Sequence, residues 1–576
     1  MSKFIKKHSA LFTAILINLA FLILVPLIAG FHYELQDDWF FADNILDGNY
    51  DYTFCNYFIQ ALSGVLQKLI YPLNAFIVLQ ILLCFVSFVT ISYIFLKTFN
   101  LKKGLLFTLF FECIFAINAY SAVTFTKTAA ILMTAGGLLM LFAYHSKKNI
   151  SYSVLGILLV LLGSFYRFNI FYSVLAVFGF FILALILAKT EKPFFKSLFG
   201  AIKKVLSIKN IALILALFIL VFGMNTVSKE IIYSGEGMDY YKEFNSARAK
   251  AIDYPFLPYE LAPDKYEKIG ISENDLKMFR DWHFDDEGFT SIETLKEIQK
   301  IYDTEEINLV YLLYTLRNIA FKEVDNILSL NPEGILVLAY VAAALAILLI
   351  YKKKSFLYVG FTTLGAALLY IYLYLGGRVN YRAVLSIWFA ATVLLVYCTQ
   401  FLEKREWQKK KSTSAFTASL AAVLSCVFLL VSLFVTIPKL SLENKEEYPE
   451  FDEFVLSSED KFFALNFPAK MLVKYTTVYS DPITIAPYPV FEKCLFYGSA
   501  YYAHPSYNKM LAKAGIDNLY TDIIDNENVY FVDTDSVDMF VTYLNEQYGD
   551  EDTVYGYELV KTADEVLNIY KIVTVK

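Results

Sequence analysis

The chain has 576 residues, 57% of them hydrophobic and 18% charged, with a mean hydropathy of +0.49. That composition excludes a soluble globular protein and fits a chain that crosses a bilayer many times. The net charge of −6 averages over two compartments, and no basic patch with a nucleic-acid-binding pattern is present, so no nucleic-acid partner is expected.

The first apolar run, residues 9–30, follows the basic start "MSKFIKK". It is too long for a signal-peptide core and lacks a small-x-small cleavage site, so it reads as a retained anchor. Directly after it stands "FHYELQDDWFFADNILDGN", residues 31–49, with Glu34, Asp37 and Asp38 among aromatic side chains. A solvated loop explains the charge but not the aromatics. An interfacial belt accounts for Trp39, Phe40 and Phe41 but not for the carboxylates. A functional site at the membrane surface explains both.

The rest of this first outer loop, 31–72, reads as two helices lying on the membrane. "DDWFFADNIL" is ended by Asp47-Gly48, and the amphipathic "YFIQALSGVLQKLI" stops before Tyr71-Pro72, its apolar face toward lipid and its polar face toward water. Ten further spans follow at about 73–97, 104–120, 121–144, 151–166, 169–188, 210–230, 334–351, 355–375, 382–401 and 414–438, eleven in all. Lysine-rich loops such as "KTFNLKKG", "HSKK", "YKKKS" and "EKREWQKKKS" alternate strictly with acidic or nearly uncharged ones. The positive-inside rule then puts the N-terminus in the cytoplasm and the C-terminus outside. Abundant Phe and Tyr (52 and 43) with few Pro (14) suit a bacterium with an AT-rich genome, hence a bacterial plasma membrane. Only Cys55 and Cys494 of the six cysteines lie outside the spans, too few for a disulfide framework.

Segments 104–144 and 151–188 read as helical hairpins with outward turns near Ala119 and Arg167. Glu112 and Lys127 each lie seven or eight residues into their helices from the first turn, so a hairpin would bring them to one depth. Charges there are costly and suspected of function; a structural pair and a substrate-facing lysine both remain open.

The large outer loop, 231–333, is acidic and helical, with helices in "SENDLKMFRDW", "SIETLKEIQKIY" and "INLVYLLYTLRNIAFKEVDNIL". "DWHFDDEG", residues 281–288, carries ligand-like residues but matches no recognised metal loop and reads as a solvated turn. The C-terminal region, 439–576, is a small soluble α/β domain, set apart from the module 1–438. It contains a strand-turn-helix in "NVYFVDTDSVDMFVTYLNEQYG" and a hairpin in "GYELVKTADEVLNIYKIVTV". Asp533-Thr534-Asp535 imitates the D-x-D of soluble glycosyltransferases, but a strand end followed by a helix cap accounts for it. No P-loop, G-x-S-x-G or H-E-x-x-H is present.

An acidic pair in "QDDW" just outside the first span, interfacial helices after it, many further spans and a terminal outer domain together resemble the GT-C superfamily of polytopic glycosyltransferases. Within it the likeness is to the bacterial O-antigen glucosyltransferase group. The resemblance implies a GT-C-like polytopic α-helical fold. It also implies transfer of a sugar from a polyprenyl-phosphate donor in the bilayer to a surface glycan acceptor, on the extracytoplasmic face. Asp37 or Asp38 would be the base that takes the acceptor proton. Glu34, Lys127, Arg167, Arg378 and Arg382 would bind substrate, the arginine forks suiting phosphate oxygens. Arg378 and Arg382 are four apart, on one face if helical. A lone Arg at a span end also snorkels to headgroups. A divalent metal, Mg or Mn, at the first-loop acids is left open, because superfamily members differ in this. Two readings of other classes compete: a flippase or transporter of lipid-linked sugars, which would favour polar residues near mid-membrane, and a non-catalytic scaffold in envelope assembly.

Overall fold

The structure, a computed structural model, describes residues 8–34, 36–146, 150–188, 208–253, 257–284, 286, 290–303, 309–376, 379–409, 411–440, 448–474, 481–498 and 502–576. The chain forms two compact units. The first comprises Met1–Ile232, Leu312–Leu442 and Asp481–Ile485, the second Tyr233–Tyr311, Glu443–Ser480 and Ala486–Lys576.

The first unit is helical. Its helices are α1 (Ser9–Ala29), α2 (Gln36–Leu46), α3 (Tyr57–Ile70), α4 (Ala75–Thr98), α5 (Leu101–Tyr120), α6 (Phe125–His145), α7 (Ile150–Tyr166), α8 (Ile170–Ala188) and α9 (Ile208–Ile232). After the first stretch of the second unit come α10 (Leu309–Leu328), α11 (Pro332–Ile350), α12 (Ser355–Leu375), α13 (Tyr381–Cys398) and α14 (Lys411–Val431). Among the described residues ten helices are long and apolar enough to cross a membrane: α1, α4, α5, α6, α8, α9 and α11 to α14. The eleventh expected span is α7, apolar but 17 residues long; at 1.5 Å per residue it measures about 26 Å, close to the hydrocarbon thickness. The protein is thus a multi-pass membrane protein.

Polar residues start these helices where the apolar runs begin. Asn74, Asn100, Thr124 and Asn380 each cap one, their side-chain oxygens accepting backbone N–H groups of the first turn. The spanning windows of α6 and α13 are 83% and 89% buried, against 17% for α1 and α9. α6 and α13 therefore form the centre of the bundle and α1 and α9 its margin. Close contact at the centre depends on small residues: a Cβ on Gly136 of α6 would come within 2.4 Å of the Gly156 carbonyl of α7.

Helix α3 spans the residues expected, but its polar side turns to protein rather than water. Gln60 donates to the carbonyls of Tyr52 and Cys55, and Gln67 donates to Leu73 O and accepts from Ala75 N–H. Leu62, Val65 and Leu69 face outward. The loop's own carbonyls and N–H groups need partners, and a polar helix face supplies them, while the apolar face suits lipid. Residues 481–485, distant in sequence, join this loop: Asn74 N–H bonds Ile483 O at 2.7 Å and Ile485 N–H bonds Pro72 O at 3.0 Å.

The second unit is built on a five-stranded sheet of order β2-β1-β3-β5-β4, with β1 (Phe462–Leu465), β2 (Cys494–Phe496), β3 (Val529–Asp533), β4 (Tyr555–Ala563) and β5 (Leu567–Thr574). β1 pairs in parallel with β2 and β3; β5 runs antiparallel to β3 and forms the expected hairpin with β4. Strand side chains alternate between faces, and both faces here are apolar. Phe463 and Leu465 pack with Phe451, Val455 and Ile569 on one side, while Ala464, Val529 and Phe531 pack on the other with Phe244, Tyr266, Phe279 and Leu295. This differs from the expected boundary at residue 438/439: the helices of 233–303 share a core with the C-terminal region, where they complete the cover that Tyr520, Phe540 and Leu544 begin on one sheet face.

Candidate active site

After α1, Gly30 turns the chain at φ +75°, and residues 30–32 are stitched to the break between α5 and α6. Ser121 Oγ donates to Gly30 O at 2.7 Å and His32 N–H to Ser121 O at 3.2 Å. This break spans 121–124, so α6 begins at Phe125 and not near 121 as expected. Lys127 consequently lies in the first turn of α6 rather than two turns deep. It does not pair with Glu112. Its ammonium is buried and forms an ion pair with Glu34, donates to Asn118 Oδ1 at 3.1 Å and to Ala122 O, and lies 5.3 Å from the centre of the Tyr381 ring. Glu112, deep in α5, instead accepts from Ser92 Oγ at 3.4 Å. The two charges parted because the uncoiled break shifts α6 by about a turn.

α2 opens with the acidic pair in its first turn, a position its dipole favours. Consecutive helical residues point about 100° apart, and the two carboxylates have different surroundings. Asp38 is fully buried: Oδ1 accepts from Phe125 N–H at 2.9 Å and from Gln80 Nε2 at 3.1 Å, and Gln80 is itself held by Thr128 Oγ1 at 2.9 Å. Its Oδ2 has no hydrogen-bond partner among the described residues. Burial pushes the Asp38 carboxyl up to about 7; the bonds from Gln80 and Phe125 act against this, the nearby Asp37 adds to it and Arg382 subtracts. Asp37 is partly open, and its Oδ2 meets Arg382 Nη1 at 3.0 Å, with 26% and 20% of the two side chains exposed. Arg382 stands in the first turn of α13.

Arg167 lies in the turn between α7 and α8, its guanidinium 4.9 Å from the Phe54 ring and 5.4 Å from the Phe125 ring. Phe125 thus contacts Arg167 through its ring and Asp38 through its N–H. The first-loop acids, Lys127, Arg167 and Arg382 gather where α2, α6 and α13 begin; Arg378 lies outside the described residues. Two helix N-termini, of α6 and α13, end here as well, an arrangement that favours anions. No three His, Cys, Asp or Glu side chains gather as metal ligands among the described residues.

Sequence reasoning passed over Gln80, Asn118, Thr128, Phe125 and Tyr381. Gln80 and Asn118 carried a signal, being uncharged polar residues inside apolar runs, where each needs a partner. Phe125 and Tyr381 carried none. Elsewhere, Asp533 ends β3 and accepts from Thr534 N–H at 2.6 Å and from Ser536 N–H at 2.5 Å, a strand-end cap. In "DWHFDDEG", Asp286 accepts from the hydroxyls of Tyr543 (2.7 Å) and Tyr548, and His283 is buried against the Tyr497 and Phe540 rings. Both belong to a core rather than to the solvated turn expected; residues 285 and 287–289 lie outside the described residues.

The sequence matches no protein-family model and no curated protein. Among solved structures the chain is similar to the Archaeoglobus fulgidus oligosaccharyltransferase, crystallised with Zn and sulfate, at 11% identity and a TM-score of 0.40, over 98% of this chain and 73% of that one. It is similar also to ArnT from Cupriavidus metallidurans in the apo state, at 11% identity and a TM-score of 0.38, over 97% of each chain. Likenesses this weak carry no argument about chemistry.

Proposed function

We propose that the chain is a GT-C-type membrane glycosyltransferase that transfers a sugar from a polyprenyl-phosphate donor to a surface glycan. It works at the outer face of a bacterial cell membrane, with its N-terminus in the cytoplasm and its C-terminal residues outside. The observation that carries the reading is the partly open Asp37–Arg382 pair, 3.0 Å apart, beside the buried and hydrogen-bonded Asp38. A partly exposed ion pair is weak in itself, so an arriving phosphate can exchange with it.

The donor phosphate takes the planar fork of Arg382 and releases Asp37. The acceptor oxygen bonds to C1 of the sugar while Asp37 takes its proton. The C1–O bond to phosphate breaks, and the electron pair stays on the phosphate, where Arg382 stabilises it. Asp38 holds α2 to the starts of α4 and α6, so its part is positioning. Burial favours Asp37 as the base, since the Asp38 carboxylate is closed to solvent. Lys127 and Arg167 add positive charge nearby.

The test is sugar release by the purified protein from a panel of polyprenyl-phosphate sugars. Turnover that falls in Asp37→Asn with donor affinity little changed supports the reading. Movement of the intact lipid-linked sugar across the bilayer without release would make the protein a flippase instead.

A further inference from the structure

Helix α10 was expected in a polar outer loop, yet it is amphipathic in the wrong sense for water. On a wheel of 100° per residue its exposed large apolar residues fall within an arc of about 140°. Leu313, Leu316, Phe321, Val324 and Leu328 of that arc are all exposed, from 37% to 77%. Two of its polar residues turn inward while Lys322 and Asp325 stay exposed: Glu323 accepts from the Tyr370 hydroxyl of α12, and buried Asn326 donates to Glu323 at 3.1 Å and accepts from Asn331 at 3.1 Å.

The level of this helix follows from its anchors. Residues 329–331 alone separate it from the span α11. Lys439, just beyond α14, donates to Ser329 O at 2.7 Å and to Asn331 Oδ1 at 3.0 Å. Tyr370 lies near the C-terminal end of α12, and α13 begins soon after with Arg382 in its first turn. The ends of α11, α12 and α14 thus hold α10 at one boundary of the membrane, on the side of the Asp37–Arg382 pair. Arg317, Lys322, Glu323 and Asp325 are too many charges for a buried span.

We infer that α10 is seated in the phospholipid leaflet on the side of the site, its Leu313–Leu328 stripe among the acyl chains and its Glu323 and Asn326 holding it to the ends of the spans. Arg317 fits this placement: its guanidinium lies 5.4 Å from the Phe321 ring, inside the apolar arc, where a cation reaches headgroup phosphates. The outward apolar face of α3 repeats the arrangement. The inference uses the membrane reading alone and holds whether or not the site transfers sugar.

Nitroxide labels on the full-length protein in phosphatidylcholine–phosphatidylglycerol nanodiscs test it. The background is Cys426→Ser, because Cys426 is the exposed cysteine and the other five are buried. Labels at Leu316→Cys, Val324→Cys and Leu328→Cys should meet oxygen more than a water-soluble nickel chelate, and a label at Asp325→Cys the reverse. Nickel access at the three stripe positions would put the helix in water, and protection from both reagents would mean that protein covers it; either result overturns the inference. All four substituted side chains are exposed, so folding is checked simply by a monodisperse elution.

Discussion

Two acid–base pairs meet at the mouth of the helical unit, and they are built differently. Glu34–Lys127 is closed, 8% and 0% exposed, and Lys127 also bonds Asn118 and Ala122 O. Asp37–Arg382 is a single contact with each side chain a fifth or more open. Burial makes a pair expensive to break and slow to exchange, because a stranded charge has no water to turn to. Exposure makes a pair cheap to open. The closed pair therefore suits holding the chain after α1 against α6, and the open pair suits exchange with a substrate.

The sharpest way to break this comparison is at the open pair. Asp37→Asn should lower sugar release by roughly a hundred- to ten-thousand-fold, the usual effect of losing a general base, in steady-state assays with saturating donor. Turnover at the wild-type rate would remove Asp37 from the chemistry.

The second test sets the pairs against each other in thermal unfolding in detergent. Lys127→Met leaves Glu34 buried without a cation and should cost about 3–5 kcal/mol. Arg382→Met should cost no more than about 1 kcal/mol. Equal losses would mean that the two pairs do not differ in kind.

A third effect concerns Asp38, whose carboxyl is raised from 3.8 to about 7 by burial. A raised carboxyl binds its proton more tightly in the folded chain, so its contribution is full at low pH and fades as pH climbs through 7. Wild type should lose thermal stability between pH 5 and about 8 relative to Asp38→Asn, which cannot ionise there. Parallel profiles for the two proteins would show that Asp38 does not titrate in that window. The smallest effect is ionic: moving from about 0.1 M to about 1 M salt shortens the screening length from about 10 Å to about 3 Å. It should narrow the stability gap between wild type and Arg382→Met, while leaving the Lys127→Met gap in place.

Much of the scaffold was legible without coordinates. Each expected span became a helix because a bilayer demands about twenty apolar residues with internally bonded backbone, and such runs are read along the chain. The turn at Asp47-Gly48 and the extent of α3 were readable for the same reason, as local chemistry. The start of α6 was not: "AYSAVTF" is apolar enough to continue a helix, and only the Thr124 cap together with the bond from Phe125 N–H to Asp38 decides that it restarts at Phe125.

The sequence by itself determined the membrane character, the helices of the first outer loop and the presence of an acidic pair beside them, since each depends on residues close together in the chain. Tertiary structure decided the partners. Asp37 and Arg382 are 345 positions apart, Asp38 and Phe125 are 87 apart, and nothing in either neighbourhood names the other. It also decided that 233–303 shares a core with the C-terminal strands, because a sheet with two apolar faces needs cover that the C-terminal residues do not supply alone. Which carboxylate is open and which is buried depends on what packs against α2, and that is a property of the assembled bundle, not of the stretch "QDDW".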